Sequence, residues 1–169
     1  MNNSNKEAML NACQLREVLH YEPSTGVFTW ATSSGGVQIG TVAGNTNSNG
    51  YMVIGIGGQK YRQHRLVWLY VYGEWPALTI DHIDGDRTNN RIGNLRCIPQ
   101  EINMQNRRTA SKANASGVLG VYWSERKGGY MASVTTGGKK KRRGPYRSID
   151  RARTAYVALK RMLHTGCTL

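Results

Sequence analysis

The chain has 169 residues and a mass of 18.8 kDa, room for one domain or two small ones. Hydrophobic residues make up 39% and charged residues 20%, and the net charge of +13 with a pI near 10.1 points to a polyanionic partner, nucleic acid before lipid. No apolar run approaches the roughly 20 residues that cross a bilayer. The start of the chain, broken by Lys6, Glu7, Arg16 and Glu17, has no signal-peptide core, so neither a membrane nor a secreted protein is expected.

The charge is unevenly placed. Residues 1–108 hold 10 basic and 8 acidic side chains, net +2, whereas residues 109–169 hold 13 basic and 2 acidic ones, net +11. Cys13, Cys97 and Cys167 are scattered and odd in number, with no C-x-x-C pair. Reduced thiols in a cytoplasm are the expectation, not a disulfide framework or a zinc site.

Apolar positions Leu10, Cys13, Val18 and Leu19 predict a short first helix reaching about Leu19. Strands are predicted over Val27–Trp30, Tyr51–Ile56 and Lys60–Arg62, with the G-N-T-N-S-N-G stretch Gly44–Gly50 as a loop or hairpin end. His64–Tyr72, with Leu66, Val67, Tyr70 and Val71 as its stripe, predicts a helix that Gly73 ends and Pro76 follows. Leu78–His82 and Asn94–Ile98 read as two strands around a turn of Asp, Gly and Asn. Pro99 then opens a helix to about Arg108, where its missing N–H costs nothing.

The small polar run Thr109–Ser116 reads as a linker. Beyond it, strands are predicted over Val118–Ser124, Tyr130–Thr136 and Lys139–Tyr146, with Gly128-Gly129 and Gly137-Gly138 as hairpin turns. The last element is a helix capped by Ser148, with Asp150 in its first turn and a stripe of Ala152, Ala155, Tyr156, Leu159 and Leu163, closed by His164 and Gly166. These elements make an α+β chain with no internal repeat.

Potential chemistry gathers in T-I-D-H-I-D-G-D-R-T-N-N-R-I-G-N-L-R-C-I-P-Q-E-I-N, from Thr79 to Asn103. A calcium loop counted from Asp81 fails, because Gly85 falls at the fifth position and Ile92 at the twelfth. A polar turn accounts for Gly85, Asn89 and Asn90, but not for an Asp81-His82 pair closing an apolar strand. Phosphodiester hydrolysis needs a base for the attacking water and a cation for the phosphate and leaving oxygen. Neighbouring strand residues face opposite ways, so Asp81 can meet a metal while His82 meets the water. Asn94, in the second strand, can accept a hydrogen bond from the His82 ring and fix its tautomer. Asn103 on the following helix offers a second oxygen ligand, and hard oxygen donors favour one Mg²⁺ or Mn²⁺.

The spacing D-H-x11-N-x8-N within strand–turn–strand–helix resembles the HNH endonucleases with a ββα-metal site, the phage homing endonucleases in particular. The shared segments are H-R-L-V-W from His64 to Trp68, D-H-I-D-G-D from Asp81 to Asp86, N-N-R-I-G-N-L-R from Asn89 to Arg96, and Glu101, Asn103 and Asn106 of an E-x-N-x-x-N helix. Y-x-P-x-T-G-V-F-T-W from Tyr21 to Trp30 matches only in layout, and the resemblance covers about residues 12–108. It implies His82 as general base, Asn94 as its orienting partner, and Asp81 and Asn103 as metal ligands. The third family letter, usually His, is Asn103 here. His64 opens an apolar helix and reads first as a packing or capping residue, though the family often carries a histidine there. Arg62, Arg65, Arg107 and Arg108 are expected to meet phosphate, while His20 and His164 show no partner in the sequence and read as structural or solvent-exposed.

K-K-K-R-R at Lys139–Arg143 lies inside a predicted strand, so it offers charge to both faces, and a three-stranded sheet can enter a major groove. Residues 117–166 resemble the Apetala-two (ethylene-response-factor) DNA-binding domain through Gly120–Trp123, Tyr130–Val134, Gly144–Tyr146 and Ala152–Tyr156. On that resemblance Tyr130, Ala132 and Val134 pack on the helix. Tyr122, Ser124, Arg126, Ser133, Thr135, Lys140 and Arg142 face DNA, with Tyr122, Ser124 and Thr135 standing where the family places base-reading arginines.

The expectation is therefore an HNH unit with N-terminal antiparallel strands over 1–108, its active-site part over 78–108, a linker at 109–116, and a three-stranded antiparallel sheet plus one helix over 117–169. It is expected to nick double-stranded DNA as a monomer in a bacterial cytoplasm, with a dimer needed to cut both strands together. The competing class is a DNA-binding regulator without cleavage. An RNA-binding protein is disfavoured, since one Phe and scattered tyrosines form no stacking motif.

Overall fold

The computed structural model describes residues 7–33, 36–105, 109–111, 113–165 and 167. Helices and antiparallel sheets alternate in an α+β arrangement that divides into two compact units, Met1–Pro99 and Gln100–Leu169.

In the first unit, helix α1 (Ala12–Val18) starts on a capping box. The Asn11 side chain accepts from the Gln14 N–H at 2.9 Å, and the Gln14 side chain accepts from the Asn11 N–H at 3.0 Å. The chain then passes straight into β1 (Leu19–Glu22), which pairs antiparallel with β2 (Val27–Trp30). Sequence reading left β1 out. Leu19 lies four residues after buried Leu15 and so continues a helical stripe, but Leu19 and Tyr21 are buried while His20 and Glu22 are exposed, the period of a strand.

Strands β3 (Asn45–Thr46), β4 (Met52–Ile56) and β5 (Gln59–Arg62) form a sheet in chain order, and β3 falls within the stretch expected to be a loop or hairpin end. Helix α2 (Gln63–Tyr72) follows at once and ends at Gly73, whose N–H bonds to the Leu69 carbonyl. Its buried stripe runs through Leu66, Val67 and Leu69, whereas Val71, expected inside, is exposed. Phe28, the only phenylalanine, is fully buried with Leu15, Leu19, Ile54, Leu66, Val67 and Leu69, each side chain contributing about 1.5–3 kcal/mol by leaving water.

On this core lies a two-stranded ribbon of β6 (Thr79–His82) and β7 (Leu95–Ile98), with Asp81 opposite Arg96 and His82 opposite Leu95. The connection ends in a 3₁₀ turn, Ile92–Asn94, so Asn94 belongs to this turn and not to the strand that was expected to hold it.

The second unit opens with α3 (Gln100–Gln105), shorter at its start than the helix expected from Pro99; Asn106, Arg107 and Arg108 lie outside the described residues. Strands β8 (Val121–Ser124), β9 (Gly129–Thr136) and β10 (Lys139–Tyr146) form an antiparallel sheet with β9 in the middle. Helix α4 (Ile149–Leu163) is capped by Ser148, whose hydroxyl accepts from the Arg151 N–H at 3.3 Å; Gly166 is outside the described residues. The core between sheet and helix is Val121, Ala132 and Val134 against Ala152, Tyr156 and Leu159. Gly120, at φ +72°, allows this docking, because a Cβ there would lie 2.0 Å from the Tyr156 ring. Among the described residues no helix is long and apolar enough to cross a membrane.

Candidate active site

The end of β6 delivers Asp81 and His82, 8% and 4% exposed, at one place on the first unit. The His82 Nε2 atom lies 3.2 Å from Asn90 Oδ1, and Asn90 is itself fully buried. Asn90 donates through Nδ2 to the Thr88 carbonyl, which leaves Oδ1 as the acceptor facing the ring. Nε2 therefore carries the hydrogen and Nδ1 the lone pair.

Asn90 is held in turn by the β1–β2 hairpin. The Tyr21 hydroxyl donates to the Asn90 carbonyl at 2.9 Å and accepts from the Ile92 N–H at 3.0 Å. Arg91 Nε donates to the Ser24 carbonyl at 2.6 Å, and Gln63 Nε2 donates to the Gly26 carbonyl at 2.8 Å. The hairpin turn presses so closely that a Cβ on Gly26, at φ +76°, would sit 2.5 Å from the Arg91 nitrogen.

The expected bond between Asn94 and the His82 ring is replaced by this Asn90 contact. Asn94 braces the loop instead: its Nδ2 donates to Asp84 Oδ1 at 2.9 Å and to the Asn89 carbonyl at 2.8 Å, and its Oδ1 accepts from the Asp84 N–H at 3.1 Å. Asn89 donates to the other Asp84 oxygen at 2.6 Å, and Asp86 accepts from the N–H and hydroxyl of Thr88. Slight burial raises the Asp84 pKa, but these bonds outweigh it and leave the group below its ordinary value. The Thr88 bonds do the same for Asp86. The polar-turn reading thus describes most of residues 84–89, and the Asn94 side chain, reaching in from the 3₁₀ turn Ile92–Asn94, braces it.

Burial pushes the His82 pKa down, opposed by the Asn90 bond and by the charges of Asp84, Asp81 and Asp86. The net result is a neutral imidazole at neutral pH, the form a base requires. Asp81 accepts two hydrogen bonds on Oδ2 from Nε and Nη2 of Arg96, at 2.9 and 2.8 Å, the pairing that the strand register dictates. Among the described residues no three His, Cys, Asp or Glu side chains converge on a common point.

His64, from the first turn of α2, is 3% exposed and stands perpendicular to the His82 ring with centroids 5.2 Å apart. Burial, then His82, Arg62 and Arg65, push its pKa down to about 3. Its burial fits the packing reading, and its contact with His82 also sets it beside the candidate site, as the alternative reading allowed. Sequence reading missed Tyr51, which meets His64 at 5.4 Å and His82 at 6.2 Å, and no local signal marks it.

Of the arginines expected to meet phosphate, Arg62 is exposed and lies over the Tyr51 ring. Arg65 is committed internally, to both oxygens of Glu7 at 2.7 and 2.9 Å and to the Pro76 carbonyl. In the second unit, Asn103 lies half-buried on α3. Cross-strand pairing sets Arg142 beside Ser133, Lys140 beside Thr135 and Tyr122 beside Met131 on the sheet face away from α4. Tyr122, Ser133, Lys140 and Arg142 line an open groove of about 1180 Å³. Ser124 pairs with Gly129 at the strand end, and Arg126 is exposed on the 3₁₀ turn Glu125–Lys127.

Residues 61–105 match the family model of HNH endonucleases. Protein 3.8 of Escherichia phage T7 is 38% identical over 79 residues, which cover 46% of this chain and 64% of that protein. DNA endonuclease I-HmuI of Bacillus phage SP01 is 31% identical over 102 residues, 57% of this chain and 56% of the relative. The chain therefore spans less than two thirds of either relative. A solved structure of the HNH homing endonuclease I-HmuI, concerned with DNA binding and cleavage, aligns over 88% of both chains at 21% identity with a TM-score of 0.41, too loose an overlay to equate the two folds.

Proposed function

We propose that the chain is a metal-dependent HNH endonuclease of the homing type that hydrolyses one phosphodiester bond of double-stranded DNA. The observation that carries this reading is the buried, neutral His82 with its tautomer set by Asn90, next to Asp81, inside the stretch that matches the HNH family. In the step we infer, Nδ1 of His82 takes a proton from water as the water oxygen bonds to phosphorus. The bond from phosphorus to the 3′-oxygen breaks, and that oxygen leaves with a proton from solvent.

The donors fit a hard divalent cation. Asp81 offers a carboxylate, and oxygen donors without a thiolate favour Mg²⁺ or Mn²⁺, ions that keep much of their water shell. When bound, the ion supplies charge neutralisation at the phosphate. Asn103 is the second oxygen donor we assign, on the motif spacing alone. We assign DNA contact to Arg62 in the first unit. In the second unit we assign it to Tyr122, Ser124, Arg126, Ser133, Thr135, Lys140 and Arg142, on the Apetala-two resemblance and the placement of Lys140 and Arg142. One base per chain makes nicking by a monomer the natural outcome, in a bacterial cell that carries the phage.

The Arg96–Asp81 ion pair favours one competing reading, a DNA-binding regulator whose carboxylate no longer serves a metal. Incubation with supercoiled DNA bearing phage sequence, with Mg²⁺, with Mn²⁺ and with chelator, separates the two. Metal-dependent relaxation lost in His82→Ala supports the enzyme, whereas tight binding across a broad target set without cutting supports the regulator.

A further inference from the structure

Most arginines of the first unit are spoken for by the protein itself. Arg16 donates to the Tyr70 carbonyl, Arg65 to Glu7, Arg91 to Ser24 and Asn89, and Arg96 to Asp81. Arg62 and Arg87 differ. Both are exposed, and both guanidinium carbons lie over one ring, that of Tyr51, at 5.0 and 4.8 Å from its centroid. Among the described residues neither forms an ion pair, Arg62 donates no hydrogen bond, and Arg87 donates one, to the Asn49 carbonyl at 2.7 Å.

Each guanidinium rests near the ring's negative electron cloud, and neither meets a carboxylate among the described residues. The arrangement is complete when an anion with several acceptor oxygens joins them, because a guanidinium fork has five donors and matches phosphate. The same Tyr51 ring touches His82 and His64, so the anion site lies one ring away from the imidazole proposed to take the proton of the attacking water. Sequence distance hides this assembly: Tyr51 precedes β4, Arg62 ends β5 and Arg87 sits in the loop after β6.

Building on the nuclease reading above, we propose that Tyr51 mounts Arg62 and Arg87 as a clamp for a backbone phosphate of the strand that His82 cuts. Tyr51 is a positioning residue in this clamp; the two arginines make the contact. The ring face does the mounting, so a phenylalanine serves in its place and a leucine does not.

The test uses the full-length chain and a duplex that the wild type cuts. Binding is followed by fluorescence anisotropy in chelator over a range of salt, and cleavage by single-turnover rates at saturating protein with Mg²⁺. Arg87→Gln and Arg62→Gln should each reduce the slope of log affinity against log salt by about 0.9, one phosphate contact fewer, and slow cleavage roughly tenfold. Tyr51→Leu should reproduce the loss of the double arginine variant, while Tyr51→Phe stays within about twofold of wild type in both readouts. If Tyr51→Leu and Arg87→Gln lower the melting temperature alone and leave slope and saturating rate unchanged, the clamp is wrong. A wild type that binds but never cuts removes the nuclease reading, and the salt slopes then decide the clamp by themselves.

Discussion

His82 and Asn90 are neighbours across a loop, with the ring Nε2 and the amide Oδ1 3.2 Å apart and both side chains out of solvent. The contact sets which imidazole nitrogen holds the hydrogen, and on the proposed reading that is how Asn90 acts, without touching water or phosphate. Asn90→Ala should lower the single-turnover cleavage rate about 10- to 100-fold, as loss of a histidine's orienting partner does elsewhere, while affinity for DNA in chelator stays at the wild-type value. Asn94→Ala, which unties the loop through Asp84 and Asn89, should lower the melting temperature as well as the rate. Equal effects of the two on rate and stability would mean that Asn90 has no special relation to the ring.

Gly26 is the second place where the site is vulnerable. Gly26→Ala forces a side chain into the left-handed region and against the Asn90–Arg91 backbone. A loss of about 2–4 kcal/mol is expected from strain and overpacking together, read as a lower midpoint in urea. Gly57→Ala, at a turn with nothing within 4 Å of the added carbon, should cost only the backbone strain.

The His64 pKa leads to a prediction about acid. Its folded value is about 3 against an ordinary 6.5, so between those limits the unfolded chain binds a proton that the folded chain refuses. Stability from keeping this ring neutral is complete above pH 6.5 and is lost as pH falls through the window toward 3. The slope from this one group is at most about 1.4 kcal/mol per pH unit. Urea melts of wild type and His64→Gln at several pH values check it: the variant should show the shallower fall between pH 6 and 4, whatever its stability at neutral pH.

The sheet face of the second unit can be tested by its alternation. Lys140→Gln and Arg142→Gln, on the face away from α4, should each flatten the salt dependence of DNA binding by about 0.9 in the log–log slope. Lys141→Gln, which pairs with Val134 on the helix side, should flatten it less. Three equal slopes would show that diffuse charge, not this face, holds the DNA.

Much of this organisation is legible in the chain, for local reasons. Lys139–Tyr146 is a strand because Gly137-Gly138 folds it back on β9, and α4 starts where Ser148 can cap it. The Asp81-His82 pair stands out because acid and imidazole at the end of an apolar strand need an explanation beyond a turn. What stays hidden depends on distant partners. Asn90 looks like one more turn asparagine until Tyr21, 69 residues earlier, buries it. Arg65 and Arg62 are alike on paper, and only Glu7, 58 residues away, separates the locked one from the open one. Tyr51 follows a Gly/Asn-rich loop with no pattern of its own, and its importance comes wholly from the two histidines and two arginines that converge on it.

The hairpin brace also determines how far the catalytic motif can travel. Residues 61–105 contain His82, its amide partner Asn90 and the loop, but not Tyr21, Ser24 or Gly26, which keep that amide in place. Excised or transplanted alone, the stretch would retain every residue of the motif and lose the hairpin contacts that hold Asn90 against the His82 ring. Any portable unit built around His82 and Asn90 therefore has to include the β1–β2 hairpin, and a graft or truncation that starts at β5 carries the letters of the motif without the contacts that hold Asn90.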